Sequence, residues 1–305
     1  MSAGVLVIDK PAGVTSFAAV SAVRRHLKIR RVGHAGTLDP AATGVLPVLI
    51  GEATKLMAYL ADQDKEYLAT VRFGVTTDTH DLDGRVLSTA PVPALAQAGL
   101  EAACRPFVGR IRQAPPMYSA VHHAGRRLYE LAREGVEVER QAREVTVHSI
   151  AVEAVAEQSA VLRIVCGKGT YVRVLAADLG DALGCGAALE RLVRTRVGPF
   201  TLEAAVAWDA LTGDGAERLA SRVRPPEAAL VAWPAVTLDG AGAQRFVHGQ
   251  PVEIARMAVG QTTLVRVHEV SGALLGVGEV EAGGSSVRPV RILNADRSGT
   301  RLLPA

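Results

Sequence analysis

One acidic side chain sits in a loop made largely of residues that bend or fix a backbone. The stretch Gly33-His34-Ala35-Gly36-Thr37-Leu38-Asp39-Pro40-Ala41-Ala42-Thr43-Gly44 has glycines at 33, 36 and 44, and a proline directly after the acid. Glycine admits unusual dihedrals and close backbone approach, and Pro40 biases Asp39 toward an extended conformation. An isolated Asp-Pro is ordinary turn chemistry. A carboxylate held rigidly beside His34 and Thr37 could also act as a nucleophile or a base. Just upstream, Arg24-Arg25-His26-Leu27-Lys28-Ile29-Arg30-Arg31 puts five fixed positive charges into eight residues. That density suits phosphate groups, and it equally suits a solvated helix end favoured by the helix dipole.

Other clusters carry less. His122 and His123 are adjacent, but no third ligand stands at a convincing spacing, so no metal site is expected. Asp78-Thr79-His80-Asp81-Leu82-Asp83-Gly84 has its acids and glycine at the wrong positions for a calcium loop and reads as a solvated hairpin loop. Gly167-Lys168-Gly169-Thr170 lacks the earlier glycine of a phosphate-binding loop for nucleotide hydrolysis. Leu183-Gly184-Cys185-Gly186 faintly resembles the glycine turn of S-adenosylmethionine methyltransferases, yet it ends a helix, where Gly184 makes a cap. Residues 110–145 mix Arg, His and Tyr with few core positions, a long irregular excursion of the kind that contacts RNA.

The elements that must hold these residues follow from local pattern. Residues 5–8 read as a strand stopped by Lys10-Pro11-Ala12-Gly13. Thr15 or Ser16 can cap a helix with apolar positions Phe17, Val20, Val23 and Leu27. Residues 45–50 form a strand, 52–60 an amphipathic helix with Lys55, and 65–73 an alternating strand. A helix is expected over 92–104 and another near 128–133, with paired strands over 143–156 and 160–166. Residues 172–183 read as a helix and 190–200 as strand-like. Beyond Trp233-Pro234 the chain is glycine-rich and helix-poor, with strands at 261–267, 273–280 and 286–292, a small β-rich domain.

The totals agree with a soluble, cytoplasmic, largely globular chain. Its 305 residues are 49% hydrophobic and 21% charged, with net charge +3. The cations comprise 29 Arg against five Lys, a bias that fits a polyanionic partner or simply genome composition. Three cysteines without a CxxC pair indicate neither a disulfide framework nor zinc. No apolar run approaches the roughly 20 residues of a membrane span, and no sustained heptad argues for assembly, so a monomer is expected.

Lys10-Pro11-Ala12-Gly13-Val14-Thr15-Ser16 followed by the Gly33–Leu46 run strongly resembles the bacterial TruB family of tRNA pseudouridine-55 synthases. The resemblance continues through Lys65-Glu66-Tyr67, residues 114–120 (APPMYSA), residues 125–133 (GRRLYELAR) and Gly169-Thr170-Tyr171-Val172-Arg173, covering about the first 200 residues in order. Gly249-Gln250-Pro251-Val252 is weakly similar to the family's small PUA-like RNA-binding domain. The resemblance implies an α+β fold with a mixed, largely antiparallel sheet flanked by helices. It implies a catalytic domain over 1–232, with its RNA excursion at 110–145, and a PUA-like domain over 233–305.

It also implies roles. Pseudouridine formation cleaves N1–C1′, turns the uracil and rejoins it through C5, which needs a carboxylate and no cofactor. The family's essential aspartate matches Asp39, with Arg173 as its ion-pair partner through a bidentate fork. Tyr67 matches the aromatic that stacks on the flipped base and serves as general base, with Tyr171 packed against it. His34 matches the residue that fills the space vacated in the RNA. Lys10 and Lys55 match polar positions near the pocket that hold the loop or phosphates, and Thr37 of the motif is a substrate-binding candidate. Leu192 matches an apolar wall, and Arg126 and Arg127 belong to the RNA excursion. The partner is then the tRNA T arm, with the acceptor arm for the small domain. Two rival readings stay open: an RNA methyltransferase, and a non-catalytic tRNA-folding or ribosome-assembly protein with a vestigial Asp39.

Overall fold

A computed structural model describes residues 3–213 and 215–293; the remaining ends of the two expected domain ranges lie outside the described residues. The chain opens with β1 (Gly4–Lys10), whose Val5, Leu6, Val7 and Ile8 are buried on both faces. In α1 (Ser16–Leu27) the N-cap is Thr15, whose hydroxyl accepts from the Ala18 amide at 3.0 Å. Such a cap stabilises a helix by about 1 kcal/mol. The buried stripe runs through Ser16, Val20, Val23 and Leu27. Phe17, expected in the core, is 69% exposed, because position 17 lies about 100° round the helix from Ser16.

Next come β2 (Val32–His34) and β3 (Thr43–Ile50), paired antiparallel. The single helix expected over 52–60 is instead a 3-10 turn, Gly51–Leu56, followed by the one-turn α2 (Met57–Ala61). The Thr54 hydroxyl donates to the Gly51 carbonyl at 2.7 Å, which competes with the regular helical ladder. β4 (Lys65–Phe73) alternates strictly, with 65, 67, 69, 71 and 73 buried. β5 (Val75–Thr77) and β6 (Val86–Thr89) form a ribbon around the 78–84 loop. The helix expected from 92 begins only at α3 (Gln97–Cys104), since Pro91 and Pro93 hold the preceding chain extended.

β7 (Gly109–Gln113) is followed by a minimal hairpin, β8 (His122–His123) and β9 (Arg126–Arg127), turning at Ala124 and Gly125 with φ of 48° and 83°. Positive φ at both central residues is what a two-residue hairpin loop requires. Then follow α4 (Leu128–Arg133), β10 (Arg143–Val155), β11 (Ser159–Cys166), α5 (Val172–Ala182) and β12 (Ala187–Val197). Gly184, at φ 74°, closes α5 as expected. After β13 (Phe200–Thr201), β14 (Val206–Ala207), α6 (Trp208–Gly213) and α7 (Ala216–Ala220) comes the β-rich tail. It contains β15 (Ala235–Leu238), α8 (Gly240–Val247), β16 (Val252–Glu253), β17 (Thr263–Glu269), β18 (Leu274–Val280) and β19 (Ser286–Ile292). Helix α8 has no counterpart in the sequence reading.

Two compact units result, residues 1–40, 45–61 and 197–305, and residues 41–44 and 62–196. In the first, β14-β1-β3 run side by side with β2 on β3. α1 packs on them through a core of Leu6, Ile8, Val20, Val23, Leu46 and Val48. The tail forms its own sheet, β15-β17-β18-β19-β16, around Phe246, Val265 and Val280. Its Val277 and Leu293 also join Val5, Val45 and Leu49 in a common core. In the second unit the order is β12-β4-β11-β10-β7, with antiparallel ladders β4–β11, β10–β11 and β7–β10. Parallel pairs are β1–β14 and β3–β12, with β15–β17 in the tail sheet; beside the antiparallel ladders they make the sheet mixed and largely antiparallel, as expected. Gly44, in the parallel β3–β12 pair, has φ 102°, and a Cβ there would lie 2.2 Å from the Arg194 carbonyl. No helix among the described residues is long and apolar enough to cross a membrane.

Candidate active site

Asp39 is clamped through both of its neighbours. On one side the buried Ser16 hydroxyl accepts from the Leu38 amide at 2.9 Å and donates to the Leu38 carbonyl at 3.0 Å. On the other, the Pro40 carbonyl accepts from the Gly13 amide at 2.9 Å and from Lys10 Nζ at 3.1 Å. Lys10 is fully buried, and its ammonium also donates to the carbonyls of Pro11 at 2.8 Å and Val14 at 2.7 Å. A buried ammonium facing three carbonyls has exchanged its water for fixed dipoles. The Lys-Pro-Ala-Gly turn and the loop of the acid are therefore one hydrogen-bonded piece, and half-buried Asp39 projects from it. Lys10 acts here as the loop's anchor. Ser16, read from sequence only as a possible cap, is the second anchor.

The other predicted residues of this unit lie nearby in the chain with different surroundings. His34 ends β2 opposite Val48 and is half-buried, and Thr37 is exposed. Lys55 ion-pairs with Glu52 at 2.6 Å and donates to the Ile292 carbonyl at 2.8 Å, tying the 3-10 turn to the last strand of the tail. Of the basic run, Arg24 donates to the Val32 carbonyl at 2.6 Å, and Arg31 bonds Glu52 and Thr54. Arg25, Lys28 and Arg30 face solvent.

In the second unit Tyr67 sits on β4, 9% exposed and opposite Ile164. Leu192 is buried on β12, the neighbouring strand. Tyr171 caps α5, and the Arg173 guanidinium lies 5.9 Å from the centroid of its ring, a geometry that favours the cation. Arg173 is 5% exposed and donates to the Tyr118 carbonyl at 2.7 Å. Buried Gln113 on β7 grips the same turn at both backbone groups. Its Oε1 accepts from the Tyr171 amide at 3.0 Å, and its Nε2 donates to the Tyr171 carbonyl at 3.4 Å. The Tyr171–Arg173 pair is thus set from β7 and from the Pro-Pro-Met-Tyr segment. Gln113 was missed because a lone amide in a run of arginines carries no sequence signal.

His80 was missed as well. The 78–84 segment does form a hairpin loop, but it is tied to β12 by Leu82 N to Leu189 O at 3.0 Å and Leu189 N to His80 O at 2.9 Å. The imidazole is pushed below its usual range, first by burial and then by the charges of Arg173 and Arg140. Arg126 ion-pairs with Glu134 at 2.5 Å, and the Arg127 guanidinium lies 5.9 Å from the Tyr129 ring centroid. The β8–β9 hairpin borders a cavity of about 330 Å³ with Pro115, Leu128, Arg140 and Arg143. Among the described residues, the buried charged side chains are all cations: Lys10, Lys65, Arg173 and Arg194. No group of His, Cys, Asp and Glu among those residues could hold a metal ion.

The first unit holds a carboxylate on a doubly anchored loop, a group able to act as nucleophile or base, and the second unit holds buried aromatic and cationic side chains. Comparison with known proteins places the chain among relatives. Residues 24–172 match the family described as TruB family pseudouridylate synthase (N terminal domain). Residues 173–231 match the tRNA pseudouridylate synthase B C-terminal domain, and residues 234–293 match "Pseudouridine synthase II TruB, C-terminal". A protein named tRNA pseudouridine synthase B from Burkholderia pseudomallei (strain 668) is 45% identical over 284 residues, 92% of this chain and 94% of that one. Its namesake from Chromohalobacter salexigens is 44% identical over 95% of this chain and 94% of that one. Among solved structures, the chain resembles one titled "Crystal Structure of a Cbf5-Nop10-Gar1 Complex" with TM-score 0.74 and 26% identity, covering 95% of this chain and 85% of that chain.

Proposed function

From the premise that this chain belongs to the TruB family of tRNA pseudouridine synthases, isomerases that convert uridine in tRNA to pseudouridine, we propose that its target is uridine 55 of the T loop and that Asp39 is the essential carboxylate. The observation that carries the reading is the clamp on Leu38 and Pro40, which fixes the backbone on both sides of one carboxylate. Positioning of this kind is what converts a weak carboxylate into an effective group against a sugar or base.

The target uridine lies in a folded loop and must be extruded, at a cost of a few kcal/mol. Tyr67 stacks on the extruded base, Leu192 walls it, and His34 fills the vacated space. Arg173, steadied by Tyr118 and Tyr171, keeps the Asp39 carboxyl ionised when RNA covers it, where burial alone would protonate it. Overall the isomerisation is redox-neutral. The N1–C1′ electron pair goes to the uracil, a C5–C1′ bond replaces it, the C5 proton leaves to a base and N1 ends protonated. Arg25, Lys28 and Arg30 on the first unit, and the 110–145 excursion on the second, meet phosphates, while residues 233–305 grip the acceptor arm. Binding should therefore be phosphate-dominated and fall steeply with salt, with specificity from loop shape and the extruded base.

The test is tritium release from a T-arm hairpin carrying C5-tritiated uridine, with the modified position mapped afterwards. Release from position 55 alone is expected; modification elsewhere in the hairpin, or none, would overturn the assignment.

A further inference from the structure

The strand that carries Tyr67 carries a second unusual residue. Lys65 begins β4 at 6% exposure, and a two-residue step along a strand returns to the same face. Lys65 and Tyr67 therefore share a face of the sheet. Neighbouring β12 presents Leu192 and Arg194, both buried and two residues apart, on that face, because Thr195, next to Arg194, bonds Glu66 on the opposite face at 2.8 Å. Arg194 is 1% exposed. From β11 the cross-strand partners on this face are Ile164 against Tyr67 and Cys166 against Lys65.

The surroundings keep Lys65 in place while leaving its charge costly. Its Nζ donates to the Gln63 carbonyl at 2.5 Å. Asp62, which pairs with Lys168 at 3.0 Å, and Asp64, which pairs with His148 at 2.9 Å, also favour its charge, but less than burial opposes it. The Cys166 thiol is pushed up by burial to about 11, so it stays neutral. Burial first, and then the charge of Arg194, lower the Lys65 ammonium from 10.5 to about 8. A buried cation beside another cation is a cost to folding, and costs of this kind gather at functional sites.

We propose that Lys65 is a positioning residue for the isomerisation, its charge on the Tyr67 face stabilising the negative charge that the uracil takes up when N1–C1′ opens. The inference rests on the reading of Tyr67 as the residue that stacks on the base. Lys65 gains and loses no proton in the cycle. The N1–C1′ pair passes to the ring and spreads over N1, O2 and O4, and the field of Lys65 and Arg194 lowers the energy of that state more than that of the neutral base. Only an interaction stronger in the transition state than in the ground state raises the rate, and fixed charge in a site closed to water is the effective way to supply one.

The experiment is a single-turnover rate profile on the T-arm hairpin from pH 6.5 to 9.5, read beside lysine ¹³Cε NMR of the same protein. Only five lysines are present, so their signals separate. One signal titrating near 8, absent in Lys65→Met, and a rate that falls on the same limb are expected. Lys65→Met should lose that limb, run at least tenfold slower at pH 7, and bind the hairpin as wild type does. A wild-type rate that is flat through the lysine titration overturns the proposal without any variant, as does a Met variant that keeps the limb. Failure of the broader reading looks different: no tritium release from this hairpin at any pH.

Discussion

The clamp on the Asp39 loop can be broken at one atom. In Lys10→Met the side chain keeps its length and loses its ammonium, so the carbonyls of Pro11 and Val14 lose the donors seen here, and Pro40 keeps only that from Gly13. Hydrogen bonds to a charged group contribute about 1.5–3 kcal/mol each. Against that gross loss, methionine avoids the several kcal/mol needed to bury an ammonium. The net destabilisation should be about 2–4 kcal/mol, read from the urea midpoint at unchanged slope. Activity should fall more selectively. Ser16 still holds Leu38, so the loop loosens on the Pro40 side only, and misplacement by about 1 Å costs up to about 10²-fold. The loss belongs in kcat, with KM for the hairpin nearly unchanged, because a residue at 0% exposure touches no substrate. A Met variant within about 0.5 kcal/mol of wild type and with full kcat would refute the reasoning. A rise in KM at constant kcat would refute it as well, by returning Lys10 to direct RNA contact.

Three further outcomes are expected. Gly44→Ala puts a Cβ 2.2 Å from the Arg194 carbonyl at φ 102°, so a melting curve should show a loss of more than about 3 kcal/mol or no folded protein; a neutral effect would mean that β3 and β12 can part there freely. Gln113→Ala removes both holds on Tyr171 and should lower kcat about tenfold while circular dichroism shows a folded chain; wild-type kcat would leave Gln113 with no part in setting the turn. Lys65→Met should raise stability at pH 7 by up to about 3 kcal/mol, since the folded value of about 8 lies below the unfolded 10.5. The sign follows from proton counting: between pH 8 and 10.5 the unfolded chain holds a proton that the folded chain has shed, so wild-type stability rises across that window and the Met variant's does not. Parallel pH curves for the two proteins would contradict it.

What the sequence made legible was local. The cap of α1, read as Thr15 or Ser16 and found at Thr15, the alternation of β4 and the glycine stop of α5 are decided by neighbours within a turn or a pleat. The 52–60 helix failed because a Thr54 side-chain bond outweighed periodicity, and the start of α3 failed because Pro91 and Pro93 outrank apolar spacing. At the site, the family motif selected residues while the geometry defined their work. Lys10, read as holding the loop or phosphates, bonds the Pro40 carbonyl of the loop. Gln113, His80, Lys65 and Arg194 stayed hidden because their meaning comes from strands far away in the chain, and no spacing rule expresses a pairing of β4 with β11 or the adjacency of β12.

The central claim is that Asp39 performs the chemistry and that the rest of the loop holds it. Asp39→Asn keeps the shape and removes the charge, so tritium release from C5-labelled uridine in a T-arm hairpin, measured beside binding of the same hairpin, tests it most directly. Binding near that of wild type with no release above background is expected. Release by Asp39→Asn at the wild-type rate would contradict it.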